Sequence, residues 1–266
     1  MQIFSYKEIS KEKYSQNKPF PHVVLSNEWN NELLSQCNKD IYKITAWDSE
    51  KKFYGAMKKK VLANHENFSD SIKKIIFESQ SMKFLEWLKS FTGEEVLLPD
   101  PYMLGGGVHS ISEGGFAKIH TDFNWHKKLK LHRKLNILIY LNDKWDESWG
   151  GHLELWSKDM KKCELMIPPL INKTVIFHTD DDSPHGHPEP LNCPNNVLRN
   201  SIALYYYSPI KSKKVYYKRD DTKYKEREID NFDKGSIRDR IYKVLTAKSN
   251  DNVIIRIYKI LRAKIF

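Results

Sequence analysis

Two histidines and an aspartate are the residues of this chain whose types and spacing could bind a metal. His120 and Asp122 stand two apart, and His185 follows 65 residues after the first histidine. Two imidazoles and one carboxylate are the ligand set that binds non-haem iron(II) on one face and leaves other positions open. Residues two apart on a strand point to the same side, so a distant strand must supply the third ligand. The pattern predicts an iron site suited to oxygen chemistry.

The triplet alone is weak evidence, because the chain has 10 histidines and a second His-x-Asp triplet begins at His178. His178 ends an apolar run, and the Asp and Ser-Pro residues after it are typical of a turn. We therefore interpret His178 as a strand-terminal residue and Asp180 to Asp182 as loop carboxylates. For the distal ligand, both His185 and His187 are candidates.

An arginine after the distal histidine could bind a carboxylate. Arg199 and Ser201 lie two apart in a β pattern and share a face, and a guanidinium beside a hydroxyl can hold a carboxylate through two hydrogen bonds. A dicarboxylic cosubstrate could then chelate iron at one end and bind Arg199 at the other. The alternative is a surface arginine on an edge strand.

Short strands must position these residues. Residues 105–112 and 116–120 predict a hairpin-like pair with glycines in the turn. Further β patterns cover residues 135–142, 151–156, 162–167, 174–178 and 201–208. Closely spaced short strands separated by Gly, Pro, Asn and Asp favour a jelly roll or barrel over a doubly wound sheet.

The first hundred residues predict support for that sheet. Residues 19–25 predict a strand and residues 26–28 a helix start. Apolar residues at helical spacing predict a longer helix from Asp70 to Phe91, ended by Gly93. We interpret the basic, polar residues 47–63 as a loop near the cleft that contributes to substrate choice. The predicted fold is mainly β with supporting helices.

A series of motifs follows in an order and spacing typical of a known family: Tyr140-Leu141-Asn142-Asp143-Lys144-Trp145, Gly150-Gly151-His152-Leu153, Ile167-Pro168, Val175-Ile176-Phe177, Pro184-His185 and Arg199. In these motifs the segment from about Val108 to Ser208 resembles the Fe(II)/2-oxoglutarate-dependent dioxygenase superfamily, in its prolyl 4-hydroxylase-like branch. Relatives often carry a tyrosine where this chain has Ser110, which implies that part of the cosubstrate pocket differs.

The resemblance implies a double-stranded β-helix, or jelly roll, with α-helices bracing one sheet. It implies that His120, Asp122 and His185 bind iron(II), with His187 in an apolar position of the family pattern. Arg199, with Tyr140 and Ser201, would bind 2-oxoglutarate.

The implied reaction is hydroxylation of a substrate C–H bond by O2, with release of succinate and CO2 and with ascorbate as a possible reductant. A peptidyl or free amino acid, proline favoured, or another small molecule would be the substrate. The alternative is a cupin-like metal-binding barrel without oxygenase activity, acting as an isomerase or a ligand-binding module. Fold alone does not fix function.

Three residues near the metal triplet or the Gly-Gly turn are substrate candidates. Asn124 and Trp125 follow the triplet, and Trp149 precedes Gly150. The alternative for each is ordinary loop packing.

Length and cysteine content agree with an intracellular enzyme. The chain has 266 residues and three cysteines at no paired spacing, so neither a disulfide framework nor a thiolate zinc site is expected. The N-terminus lacks an apolar signal core, and no apolar run has membrane-spanning length. These features predict a cytoplasmic location.

Positive charge is concentrated at the C-terminus. Residues 211–266 hold 17 Lys and Arg against 8 Asp and Glu, whereas the whole chain holds 44 against 34. We therefore divide the chain into residues 1–100 and 101–210, which form one domain, and a basic, partly helical extension of residues 211–266. The helical patterns at 237–245 and 253–261 are basic and amphipathic. The extension could pack on the domain or on a second protomer, or bind an acidic partner or an anionic membrane surface; nucleic acid is less favoured.

Overall fold

The computed structural model describes residues 2–227 and residue 230. The described residues up to Arg227 form one compact unit. The predicted amphipathic segments at 237–245 and 253–261 lie outside the described residues. Within the described part of the chain, no helix is both long and apolar enough to cross a membrane.

A curled antiparallel sheet of 13 strands dominates the fold, which confirms the predicted jelly roll. Its strands are β1 (His22–Ser26), β2 (Ser49–Phe53), β3 (Ala56–Leu62), β4 (Leu98–Pro99), β5 (Gly107–Thr121), β6 (Trp125–His126), β7 (Leu131–Tyr140), β8 (Leu153–Trp156), β9 (Cys163–Ile167), β10 (Lys173–His178), β11 (His185–His187), β12 (Arg199–Ser208) and β13 (Lys223–Tyr224). The main path runs β1-β10-β7-β12-β5-β11-β8-β9, and β3 and β13 also pair with β5.

Helices pack against this sheet. They are α1 (Lys11–Gln16), α2 (Asn31–Ile41), α3 (Asp70–Gln80) and α4 (Met82–Thr92), and two 3-10 segments span His65–Asn67 and Glu147–Trp149. The prediction of one helix from residue 70 to residue 91 is wrong. Ser81 adopts extended dihedrals (φ −65°, ψ 150°) and its side chain accepts a hydrogen bond from the Phe84 N–H, so it ends α3 and caps α4. Gly93 ends α4 in the left-handed conformation, as predicted.

The predicted helix start at residues 26–28 is also wrong. Ser26 pairs with Lys173 as the last residue of β1, so strand pairing overrides its capping tendency. Asn30 is the N-cap of α2 instead, and its side chain accepts from the Leu33 N–H.

Strands β7 and β12 are buried on both faces because each lies between the helices and a cavity. Ile137 and Ile139 of β7 pack into the core shared with the helices, while Asn136 and Tyr140 line the cavity on the other side. Burial of each such isoleucine contributes about 1.5–3 kcal/mol. Because side chains alternate between the two faces of a strand, one face of β7 packs against the helices and the other lines the cavity.

Residues 105–120 do not form the predicted hairpin. They belong largely to the single strand β5, and the register of its partner β3 shifts between Met57 and Lys59. Gly114 has φ +71°, and a Cβ on Gly115 would lie 2.4 Å from Ile111 Cγ2. The glycines therefore allow a bulge within one long strand rather than a reversal of the chain.

Residues 47–63, predicted as a loop, mostly form the hairpin of β2 and β3. Strand β3 pairs with β5, with Ala56 opposite Ala117 and Lys59 opposite Ile111. This hairpin borders the cavity described next.

Candidate active site

Strands β5 and β11 bring the three predicted ligands together. His120 lies near the end of β5, Asp122 follows just beyond it, and His185 of β11 pairs directly with His120. The Nε2 atoms of His120 and His185 lie 3.5 and 3.4 Å from the Asp122 carboxylate oxygens. Cis ligands about 2.1 Å from an octahedral metal are about 3 Å apart, so these separations fit a single ion. Ligand atoms of these residues all lie within 4.8 Å of one another.

Backbone carbonyls orient both imidazoles. His120 Nδ1 lies 2.7 Å from the Lys118 carbonyl, and His185 Nδ1 lies 3.0 Å from the Ser183 carbonyl. A carbonyl oxygen only accepts, so each Nδ1 carries the proton and each Nε2 keeps a lone pair for a metal. Burial lowers the pKa of His185 to about 4, which keeps that ring neutral.

Arg133 and Asn136 hold the carboxylate. Arg133 Nη2 and Asn136 Nδ2 donate to Asp122 Oδ2 over 2.9 and 3.2 Å. Although burial opposes ionisation, Arg133 and the two histidines hold the pKa of Asp122 well below its usual range. The guanidinium itself lies over the Tyr205 ring, 3.4 Å from its centroid. Asp122 is therefore ionised, and its Oδ2 is held in place by Arg133 and Asn136.

Arg133 could not be predicted as a site residue from strand periodicity. Strict alternation in β7 places residue 133 on the same face as Leu135, towards the helices. The register with β12 shifts there, because Tyr206 pairs with Leu135 but Tyr207 with Arg133. This irregularity turns the arginine towards Asp122, and no residue pattern marks it.

The ligand cluster opens into a cavity of about 530 Å³, including its mouth. Arg199, only 4% exposed, lies in its wall, where Nε donates to the Gly151 carbonyl (2.7 Å) and Nη2 to the Tyr140 hydroxyl (3.3 Å). Gly151 has φ +71°, and a Cβ there would lie 3.1 Å from Arg199 Cδ, so the glycine permits this approach. Ser201 pairs with Tyr140 and also lines the cavity. Arg199, Tyr140 and Ser201 thus present donors that suit a carboxylate.

The second candidate for the distal ligand, His187, lies in the cavity wall but outside the ligand cluster. Burial, with Arg199 and Lys59 nearby, holds the pKa of His187 well below its usual range. The geometry therefore favours His185. Ser110 lies on the other face of β5, beside Lys60 and Trp47, whereas His109 and Ile111 face the cavity.

The three substrate candidates lie away from the cavity lining. Asn124 donates to the Tyr217 carbonyl (3.0 Å) and accepts from the Arg219 N–H (2.8 Å). Trp125 lies under Lys218, with Nζ 3.8 Å from the ring centroid, and Trp149 packs edge-on against Trp145. Their assignment to the substrate stays a prediction. The other His-x-Asp triplet is separate: His178 ends β10 and contacts Tyr14 and Glu94.

Residues 216–227, which we call the strap, border the site, and no residue pattern in the sequence predicts this. Tyr224 of β13 pairs with His120, and their ring centroids are 5.6 Å apart. Arg219 anchors the strap by donating to Asp181 Oδ1 (2.7 Å) and the Asp122 carbonyl (3.0 Å). The lysine-rich composition of these residues shows no strand pattern, so β13 falls within the predicted basic extension.

The family model described as the 2OG-Fe(II) oxygenase superfamily matches residues 106–207. The matched residues include the three ligands together with Tyr140, Arg199 and Ser201. This segment belongs to the 2OG-Fe(II) oxygenase superfamily. The match supports an enzyme of the iron(II)- and 2-oxoglutarate-dependent oxygenase kind, and it favours this function over a cupin-like barrel without oxygenase activity.

Solved structures share the fold. A prolyl-4-hydroxylase from Pseudomonas putida is 13% identical, with 76% of this chain and 97% of that chain covered and a TM-score of 0.54. A prolyl hydroxylase from Trichoplax adhaerens, in complex with a hypoxia inducible factor oxygen degradation domain peptide fragment, is 17% identical, with coverages of 74% and 86% and a TM-score of 0.55. HygX from Streptomyces hygroscopicus, with nickel and 2-oxoglutarate bound, is 9% identical, with coverages of 77% and 92% and a TM-score of 0.50. No curated protein matches the sequence.

Proposed function

We propose that this oxygenase hydroxylates a C–H bond of a peptidyl or free amino acid, with proline favoured, and releases succinate and CO2. The observation that carries the proposal is the common cavity of the three ligand side chains and Arg199. One end of that cavity suits a metal and the other suits a carboxylate, which is the arrangement a chelating dicarboxylic cosubstrate needs.

His120, Asp122 and His185 would hold iron(II), and the donor set fits it. Imidazole nitrogens and one carboxylate on one face leave positions for the cosubstrate and O2. When bound, iron(II) supplies the redox centre at which O2 oxidises 2-oxoglutarate and the substrate.

The protein's own groups orient and protect the reactants. Arg199 and Tyr140 would fix the distal carboxylate, so that the 2-oxo acid end points to the ligand cluster. The Lys118 and Ser183 carbonyls hold the imidazoles. Arg133 keeps the Asp122 carboxylate ionised and in position.

The substrate part of the proposal rests on likeness of fold to prolyl hydroxylases, one of them in complex with a peptide fragment. Fold alone does not select a substrate, so proline stays the favoured candidate within a wider class of amino acids and small molecules. Asn124, Trp125 and Trp149 are kept as proposed substrate residues, with loop packing as the alternative.

Anaerobic titration of iron(II) and 2-oxoglutarate tests the cosubstrate site. We expect a visible charge-transfer band in the wild type, and in Arg199→Ala a cosubstrate affinity lower by about 100-fold or more, because a charge-assisted contact is lost. Arg227→Ala is the matched control: this arginine is also buried, but it contacts Glu189 outside the cavity. An unchanged band in Arg199→Ala would contradict the assignment.

Product analysis tests the reaction. Cell extract supplied with iron(II), O2, 2-oxoglutarate and ascorbate should yield succinate and a substrate heavier by one oxygen atom. His120→Ala should abolish both. Succinate formation that persists in that variant would refute the ligand assignment.

We further propose a cytoplasmic location. The role of the basic extension in binding an acidic partner, an anionic membrane or a second protomer also remains a proposal. Liposome binding by the full chain and by a chain ending at residue 230, compared across salt concentrations, tests the membrane interaction.

A further inference from the structure

Lys59 of β3 lies in the cavity wall, and it is not one of the residues assigned to the metal or to the cosubstrate. It belongs to the hairpin of β2 and β3, and it is partly buried. Its neighbour Lys60 is exposed on the opposite face of the strand.

The register places Lys59 in one row with Arg199. Both residues pair with Ile111 of β5, from opposite edges of that strand. All three side chains line the cavity, so the ammonium and the guanidinium lie on the same face, two strands apart. Lys59 stands on the outer strand of this row, on the same edge of β5 as β13.

Within the described part of the chain, Lys59 makes no hydrogen bond or ion pair. Burial lowers the pKa of Lys59 to about 8, so the amine is mostly protonated at neutral pH. The negative charge of Asp122 is the main interaction that favours the protonated form. His109 and His187 are neutral neighbours, because burial holds the pKa of each well below its usual range. A cation kept in a cavity without a partner is costly unless a ligand pairs with it.

The metal and the cosubstrate do not provide that partner. In a loaded site, Asp122 and the 2-oxo acid end of 2-oxoglutarate would both lie on iron(II), and Arg199 would pair with the distal carboxylate. Arg133 is held by Asp122 and by the Tyr205 ring. Among the cations that line or border the cavity in the described residues, Arg133 and Arg199 each have hydrogen-bond partners, whereas Lys59 has neither a hydrogen bond nor an ion pair.

We propose that Lys59 binds a carboxylate of the substrate, and that the substrate is therefore a small molecule with a free carboxylate, such as a free amino acid, rather than a residue inside a peptide. This inference rests on the proposed function. It narrows the substrate class, because an interior peptide residue has lost its carboxylate to the peptide bond.

The test uses the full-length iron(II) enzyme with the twenty free L-amino acids and their C-terminal amides as probes. The readouts are succinate formation above the substrate-free rate and the affinity for 2-oxoglutarate. We expect at least one free acid, but not its amide, to stimulate the wild type. Lys59→Met should reduce that stimulation by about tenfold or more, because a charge-assisted contact is lost. Lys59→Arg should retain part of it, and the control Lys60→Met should match the wild type.

Three outcomes would overturn the inference: no stimulation by any free acid, equal stimulation by acid and amide, or an unaffected Lys59→Met. A tenfold weaker affinity of Lys59→Met for 2-oxoglutarate would also overturn it, because the bound carboxylate would then belong to the cosubstrate. Absence of 2-oxoglutarate binding in the wild type would instead refute the proposed function itself, so the two failures are distinguishable.

Discussion

Replacing Lys59 by methionine should stabilise the metal-free protein at neutral pH. Burial lowers the pKa of Lys59 from its ordinary 10.5 to about 8. At about 1.4 kcal/mol for each pKa unit, the folded state loses about 3 kcal/mol by keeping the ammonium in the cavity. Partial exposure to solvent reduces this to about 2 kcal/mol. Methionine has a similar length and no charge, so the variant should regain this free energy of unfolding.

The pH dependence follows from the lowered pKa. Below about pH 8, Lys59 is protonated in both the folded and the unfolded state, and the full penalty is present. Between about pH 8 and 10.5 the unfolded state binds more protons than the folded state, so the wild type gains stability relative to the variant. Above about pH 10.5 the Lys59 amine is neutral in both states, and the two proteins then differ in stability only through the packing of the methionine side chain. Arg199, Arg133 and Lys51 add to the penalty, whereas Asp122 lowers it.

Urea unfolding with a metal chelator, at neutral pH and near pH 10, measures both effects. Other groups titrate in both proteins, so the difference between the two proteins isolates Lys59. The exposed Lys60→Met variant should follow the wild type at both pH values. A Lys59→Met protein that is less stable than the wild type at neutral pH, or a difference that does not change with pH, would refute the reasoning.

Three further perturbations test buried ion pairs and hydrogen bonds, one at the ligand cluster and two elsewhere in the fold. Arg133→Met should lower nickel affinity about 10- to 100-fold in a calorimetric titration, because Asp122 loses its outer partner; unchanged affinity would contradict that role. The Glu94 carboxyl is partly buried, but hydrogen bonding by His178 holds the pKa of Glu94 below its usual range. The ionised carboxylate therefore stabilises the fold above the pKa of the unfolded state, and this stabilisation is lost as the pH falls. Glu94→Gln should thus be less stable by about 1–3 kcal/mol at neutral pH, with a flatter acid-unfolding profile; a profile parallel to the wild type would argue against it. Arg219→Ala should cost about 3–5 kcal/mol, since it removes one partner of a buried ion pair, and proteolysis should then cleave the strap faster; equal cleavage rates would exclude the anchoring role.

The strands and the ligand positions could be predicted because they depend on local patterns. The period of two assigns His120 and Asp122 to one side of the chain, and the β-branched and aromatic run over residues 135–140 predicts a strand, which the structure buries on both faces. Both features are encoded within a few neighbouring residues.

What the sequence did not reveal depends on pairing between distant segments. Lys59 reaches the cavity because β3 pairs with β5, and Arg133 reaches Asp122 because the register of β7 and β12 shifts beside it. The break at Ser81 depends on a side-chain cap that competes with continuous helical spacing. Polar composition in residues 47–63 predicts a loop, and only the neighbouring strand makes it a hairpin.

The strap has a consequence for how the enzyme is made. Residues 216–227 pair with the His120 edge of β5, yet they lie beyond residue 207, where the family match ends. During synthesis this edge of β5 stays unpaired until the strap has left the ribosome. A gene trimmed to the family boundary would keep every ligand but leave this edge of β5 bare, and bare strand edges promote aggregation.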